Sequence, residues 1–338
     1  MLSRVADAIY WMNRYVERAE NVARFVDVNL HLSLDFPEAD AQWEPLVATT
    51  GDSDAYFARY SRISREDVLR FLAFDRDNAN SIVSTLAFAR ENARSVREAI
   101  SSEVWEQVNR SYWMVTEAAK EESVLAAPHD FFTMVKQASH LFVGTMDLTM
   151  THNEGWHFGR LGRLIERADK TSRILDVKSD MLAEAERNPS AADELHWAAL
   201  LRSASAFEMY RKACGNVVAA RAVEFLLLEE SFPRSVLYCL KKADRSMHAI
   251  TGTQVGTWTR EPERVLGRLQ ADLAYAVMTE VFARGLHDFI DDFQLRLNAV
   301  SDAITASFFA VRPDERRRTL PPNWGGESSA QINSSGAE

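Results

Sequence analysis

Residues 13–28 read NRYVERAENVARFVDV, and residues 162–177 read GRLIERADKTSRILDV. The same segment stands twice in the chain, 149 positions apart. Arg14, Glu17 and Arg18 match Arg163, Glu166 and Arg167. Ala19 matches Ala168, Glu20 matches Asp169, Arg24 matches Arg173, and Asp27-Val28 matches Asp176-Val177. Charged residues on a helix surface usually drift. Here they recur in register while several apolar neighbours vary. The repeat therefore constrains architecture first and says little about reaction.

The first copy lies on a clean heptad. Val5, Ile9, Met12, Val16, Ala19, Ala23, Val26 and Leu30 alternate spacings of three and four, which predicts one apolar stripe along a helix of roughly 30 residues. Helices are further predicted at 39–59, 66–74, 81–100, 102–122, 131–150, 262–283 and 286–310, with Ser64 and Asp67 resembling a capping box. Beyond the charged segment the offset becomes 154. Trp43 then matches Trp197, Tyr56 matches Tyr210, Phe71-Leu72 match Phe225-Leu226, and Ser81-Ile82 match Ser235-Val236. The five extra residues fall in the polar stretch 186–194, read as a loop, where insertion is cheap. A period this long indicates a duplicated bundle rather than a solenoid. The expectation is an all-α fold, a duplicated helical bundle with a pseudo-two-fold internal repeat. One domain spans 1–311, built from repeats at about 1–115 and 151–285 with linking and C-terminal helices. Residues 312–338 are rich in Pro, Gly, Ser and charge, and are expected to form a disordered tail.

Composition narrows the function classes. Apolar residues make up 46% and charged residues 26%, as in soluble globular proteins, and the formal net charge is −10. No basic stripe stands out beyond Arg316–Arg318, so nucleic acid is not an expected partner. No apolar run reaches membrane-spanning length, and the charged N-terminal segment is not a signal peptide. Cys214 and Cys239 lack metal-like spacing and read as free thiols of a cytoplasmic protein.

On the first charged helix, Tyr10, Arg14, Glu17, Arg18 and Asn21 share the face opposite the heptad stripe. Arg14–Glu17 and Glu20–Arg24 are spaced for intrahelical ion pairs, as are Arg163–Glu166 and Asp169–Arg173. That leaves Arg18 and Arg167 as surplus cations, on faces that also carry aromatic residues. Gly159 and Gly162 point to a close backbone approach or a helix start. Three readings stay open: a polar network between the two helices, a site for an anionic ligand or partner segment, and a solvated face. The candidate binding residues are Arg14, Glu17, Arg18, Glu20, Arg24, Arg163, Glu166, Arg167, Asp169 and Arg173.

Other chemistries find little support. No Glu-x-x-His falls within the predicted helices, as a di-metal bundle needs, and there is no phosphate-binding loop and no nucleophile elbow. His287 and Asp291 have ligand spacing, but neither a metal site nor a cofactor is expected. Trp11, Trp43, Trp105, Trp113, Trp156 and Trp197 read as core anchors.

LSRVADAIYWMNRYVERAENVARFVDV at the N-terminus, RENARSVREAISSEVWEQVN at 90–109 and GWHFGRLGRLIERADKTSRILDV at 155–177 resemble, in order, three blocks of the bacterial alpha-E domain family. One departure is Asn13, where the family usually has Gly. The resemblance implies an all-helical domain and places Glu17-Arg18 and Glu166-Arg167 at the family's name-giving pairs. It also implies a circularly permuted ATP-grasp protein as partner, with a peptide or small anionic ligand. The expected function is a non-catalytic companion of an ATP-grasp amide ligase. The alternatives are an enzyme using Glu17 or Glu166 as general base, and a purely structural, self-associating bundle that forms homo-oligomers.

Overall fold

The computed structural model describes residues 1–35, 43–121, 123–179, 182 and 191–310. Among these residues every regular element is a helix. The first half runs α1 (Ser3–Asp35), α2 (Glu44–Thr50), α3 (Ser53–Phe57), α4 (Arg65–Ala73), α5 (Ile82–Ser95), α6 (Ser102–Ala118), α7 (Ser123–Ala126) and α8 (His129–Thr149). The second runs α9 (Glu154–Asp176), α10 (Ala191–Ser203), α11 (Phe207–Cys214), α12 (Ala219–Leu228), α13 (Val236–Thr251), α14 (Glu261–Ala274), α15 (Met278–Arg284) and α16 (Leu286–Ile304), closed by a π-helical turn, Thr305–Phe309.

The heptad places α1. Val5, Ile9, Met12, Val16, Ala19, Ala23 and Val26 are all buried in one apolar cluster with α4, α5, α6 and α8, and Leu30 packs at its edge. Ala6, Tyr10 and Phe25 leave α1 on another side and enter a second cluster with α9, α10, α12, α13, α14 and α16. A helix apolar on more than one side is one buried among several neighbours. α1 packs on α5, α8 and α9, while α9 packs on α1, α13 and α16. Outside them, α6 covers α5 and α8, and α14 covers α13 and α16.

Short polar residues set the helix starts. Ser64, Ser81, Ser101 and Ser235 each accept a backbone N–H three residues on, at 3.2 Å. Each such cap stabilises by about 1 kcal/mol. The helix expected at 39–59 is interrupted at Gly51, whose φ of +83° suits glycine and stops α2; residues 39–42 lie outside the described residues. The helix expected at 81–100 ends at Ser95, and the one expected at 262–283 divides into α14 and α15. Residues 191–194, read as loop, already belong to α10. The expected tail at 312–338 also lies outside the described residues. Trp43, Trp156 and Trp197 are core residues as expected, but Trp113 is 48% exposed. It lies beside Arg90, with the guanidinium 5.9 Å from the ring centre. That cationic cover lets the ring stay at the surface.

Candidate functional site

The two ER segments meet. The Met1 amino group pairs with Glu154 at 2.7 Å, and Arg167 pairs with Glu17 at 2.7 Å. The sequence separation of these contacts barely changes along the pair, from 153 to 150. So α1 and α9 run parallel and in register. Two glycines allow the approach. A Cβ on Gly162 would overlap the carbonyl oxygen of Tyr10, and one on Gly159 would sit 2.6 Å from Asn13 Nδ2. The close-approach reading of these glycines holds. Asn13 fits because it packs against a residue without a side chain and donates to the carbonyl of Ile9 at 3.0 Å.

Beyond the glycines the charges interlock. Glu166 accepts from Arg14 Nε at 2.8 Å and from Arg18 Nε and Nη2 at 2.6 and 3.0 Å. Glu17 accepts from Arg167 Nε and Nη2 at 2.8 and 2.7 Å, a two-point fork. Arg234, from the loop before α13, reaches Glu17 at 3.3 Å, Glu20 at 2.7 Å and the side-chain oxygen of Asn21 at 3.0 Å. Glu20 also pairs with Arg24 on its own helix, and Asp169 with Arg173 at 3.1 Å and Lys170 at 3.3 Å. The second ends of the arginines are held too: Arg18 donates to Asn80 at 2.7 Å, and Arg167 to the Pro233 carbonyl at 3.3 Å.

Two of the four predicted intrahelical pairs form, Glu20–Arg24 and Asp169–Arg173. Arg14–Glu17 and Arg163–Glu166 do not, because each glutamate turns toward two other guanidiniums: Arg14 and Arg18 of α1 on Glu166, and Arg167 of α9 with Arg234 of the loop before α13 on Glu17. The surplus cations Arg18 and Arg167 both cross the seam, as does Arg14. Arg234, Asn80, Lys136 and His140 were not singled out by the sequence. A signal for Arg234 existed: it aligns with Asn80, directly before the matched Ser81 and Ser235, and puts a charge where the first copy has an amide.

The buried glutamates are strongly biased to the ionised form. Burial would push the Glu166 and Glu17 carboxyls up. The guanidiniums of Arg18 and Arg14, and of Arg167 and Arg234, outweigh it and hold both below the usual carboxylate range. Glu20 is held well below it, burial being outweighed by Arg234, His140 and Arg24. Arg163 is the exception. Among the described residues it has no hydrogen-bond or ion-pair partner, and its Nε is buried unsatisfied. Burial, and then the neighbouring Arg167 charge, pull its guanidinium down to about 10. The seam thus carries four carboxylates, Glu17, Glu20, Glu166 and Asp169, against eight cations: Arg14, Arg18, Arg24, Arg163, Arg167, Lys170, Arg173 and Arg234. Next to it, burial pushes the Cys239 thiol up to about 12, so it is protonated and a poor nucleophile at neutral pH.

Comparisons with known proteins fit the seam. The chain is 25% identical to an uncharacterized protein of Mycobacterium bovis over 349 aligned residues, covering 93% of this chain and 39% of the relative. Uncharacterized proteins from two Mycobacterium tuberculosis strains match over the same length at 25% and 24% identity. The chain spans about two fifths of the length of these relatives. No solved structure matches it. Residues 1–309 match the Alpha-E family, described as a predicted alpha-helical domain with a conserved ER motif. With both ER segments at the centre of a helical bundle and the match running across all of its helices, the chain belongs to the Alpha-E family.

Proposed function

We propose that this chain is a non-catalytic, cytoplasmic companion of a circularly permuted ATP-grasp amide ligase, in a peptide or amino acid ligation or modification system. The observation that carries this reading is the state of the seam. A general base needs a carboxylate poised near the working pH and within reach of a substrate proton. Glu17 and Glu166 are instead buried, held acidic, and saturated by guanidinium donors. That arrangement supports a scaffold over a reaction centre. The length of the mycobacterial relatives also supports a partnered role, since the segment matching this chain is joined there to more than its own length of further polypeptide. Co-expression with a circularly permuted ATP-grasp protein from the same source tests the reading. The expected result is co-elution in gel filtration at micromolar concentration. Two separate peaks contradict it.

The bundle itself reads as a duplication. Ser81 and Ser235 cap α5 and α13 in the same way. Tyr56 and Tyr210, both fully buried, each donate to a carbonyl six residues on.

Arg163 favours a second element of the reading, the binding of an anionic ligand or partner segment at the seam. Arg14 at the matching position is neutralised by Glu166, whereas Arg234 occupies the carboxylate that Arg163 would need. A cation in this position gains from any carboxylate or phosphate brought to it.

A further inference from the structure

Away from the seam, the C-terminal third of α1 carries a second cluster that neither the family description nor the proposed function uses. Asp27 has a buried carboxylate, its side chain 6% exposed. One oxygen, Oδ2, accepts from Lys136 Nζ at 2.5 Å. The other, Oδ1, accepts from Nδ1 of His129 at 2.6 Å, at the first turn of α8. His31, one turn beyond Asp27 on α1, donates through Nδ1 to the Asp27 carbonyl at 2.8 Å. The two imidazoles meet edge to face, 4.8 Å between ring centres, and each is more than half exposed.

We propose that Asp27, His31 and His129 form a binding site for a borderline divalent cation, Zn2+ foremost, that ties the start of α8 to α1. The donor set is two imidazole nitrogens and one carboxylate oxygen, which suits Zn2+, Ni2+ and Cu2+ over Mg2+ or Ca2+. Each residue offers one ligand atom, and these atoms lie within 4.8 Å of one another. Tetrahedral Zn2+ with bonds of about 2.0–2.1 Å needs ligand atoms about 3.3 Å apart. His129 Nδ1 lies 2.6 Å and His31 Nδ1 4.0 Å from Asp27 Oδ1, so closure asks the two exposed rings to turn and His31 to exchange its bond to the Asp27 carbonyl for the metal. The surroundings are those of a built site. Lys136 fixes one carboxylate oxygen and leaves the other to the histidines, as outer partners orient metal ligands. Three protein ligands leave a fourth position for water or a partner's side chain.

The matched residue in the second ER segment, Asp176, makes a comparable contact. Its Oδ1 lies 2.7 Å from Nδ1 of His287, in the first turn of α16, with Asp291 as third member. This is the neighbourhood of the His287–Asp291 pair noted in the sequence. With a single imidazole it is the weaker donor set for Zn2+, and it serves as an internal control.

Calorimetric titration of the full, untagged chain with Zn2+ tests the site. The expected result is one tight equivalent, weakened at least tenfold in His31→Ala and in His129→Ala and unchanged in His287→Ala. Zn2+ should also raise the melting temperature of the parent chain and not of the two variants. Both substituted rings are largely exposed, so circular dichroism should report an unchanged fold. Absence of a tight equivalent in the parent chain, or binding by His31→Ala and His129→Ala as tight as the parent's, overturns the proposal.

Discussion

Arg14 and Arg163 hold matching places in the two ER segments, yet only Arg14 meets a carboxylate. Their substitution should therefore act in opposite directions. Arg14→Met removes a charge-assisted bond to buried Glu166 and should lower stability by about 1.5–3 kcal/mol in urea denaturation. Arg163→Met removes a cation with no partner and should be neutral or stabilising. Equal destabilisation by both would refute the asymmetry. Neither outcome was legible in the sequence. Spacing by three along a helix offers Glu17 to Arg14 and Glu166 to Arg163 as nearest partners. Once two helices lie in contact, a carboxylate between them gains two guanidiniums by turning outward, and tertiary pairing wins over local pairing worth about 0.2–0.5 kcal/mol. What the sequence did show was the surplus, Arg18 and Arg167, and both bridge the helices alongside Arg14.

At the level of helices, the approach of α1 to α9 depends on Gly162. An added methyl there meets the Tyr10 backbone, Tyr10 Cδ2 at 3.0 Å and Arg14 Cγ at 3.2 Å. The backbone atom cannot swing aside, so Gly162→Ala should destabilise by about 1–3 kcal/mol despite the better helix propensity of alanine. Gly144 on α8 is the matched control. Nothing lies within 4 Å of its Cβ position, so Gly144→Ala should stabilise by up to about 1 kcal/mol. Thermal melts of the two variants check both signs, and a stabilised Gly162→Ala would contradict the close packing. The long helices were legible because a 3.5-residue apolar period and serine caps are local signals. The break at Gly51 was not, since a lone glycine inside a helical pattern is compatible with continuation until the chain's path requires a positive φ.

For the whole molecule, α1 is the shared element. Its heptad stripe closes one core, Tyr10 and Phe25 join the other, and the charged seam lies where α1 meets α9. The sequence repeat pointed to a bundle of this kind because matched charged helices call for matched surroundings. It could not show that the two ER helices face each other, since no local signal carries the distance between residues 150 apart. The proposed function requires that the seam glutamates hold the bundle together and do not act as a reaction centre. The most direct test is the stability of Glu17→Gln and Glu166→Gln by denaturant unfolding at pH 7. Each substitution leaves buried guanidiniums without their carboxylate, which is expected to cost about 3–5 kcal/mol. If both variants unfold at the parent's midpoint, the seam is not structural and the account fails.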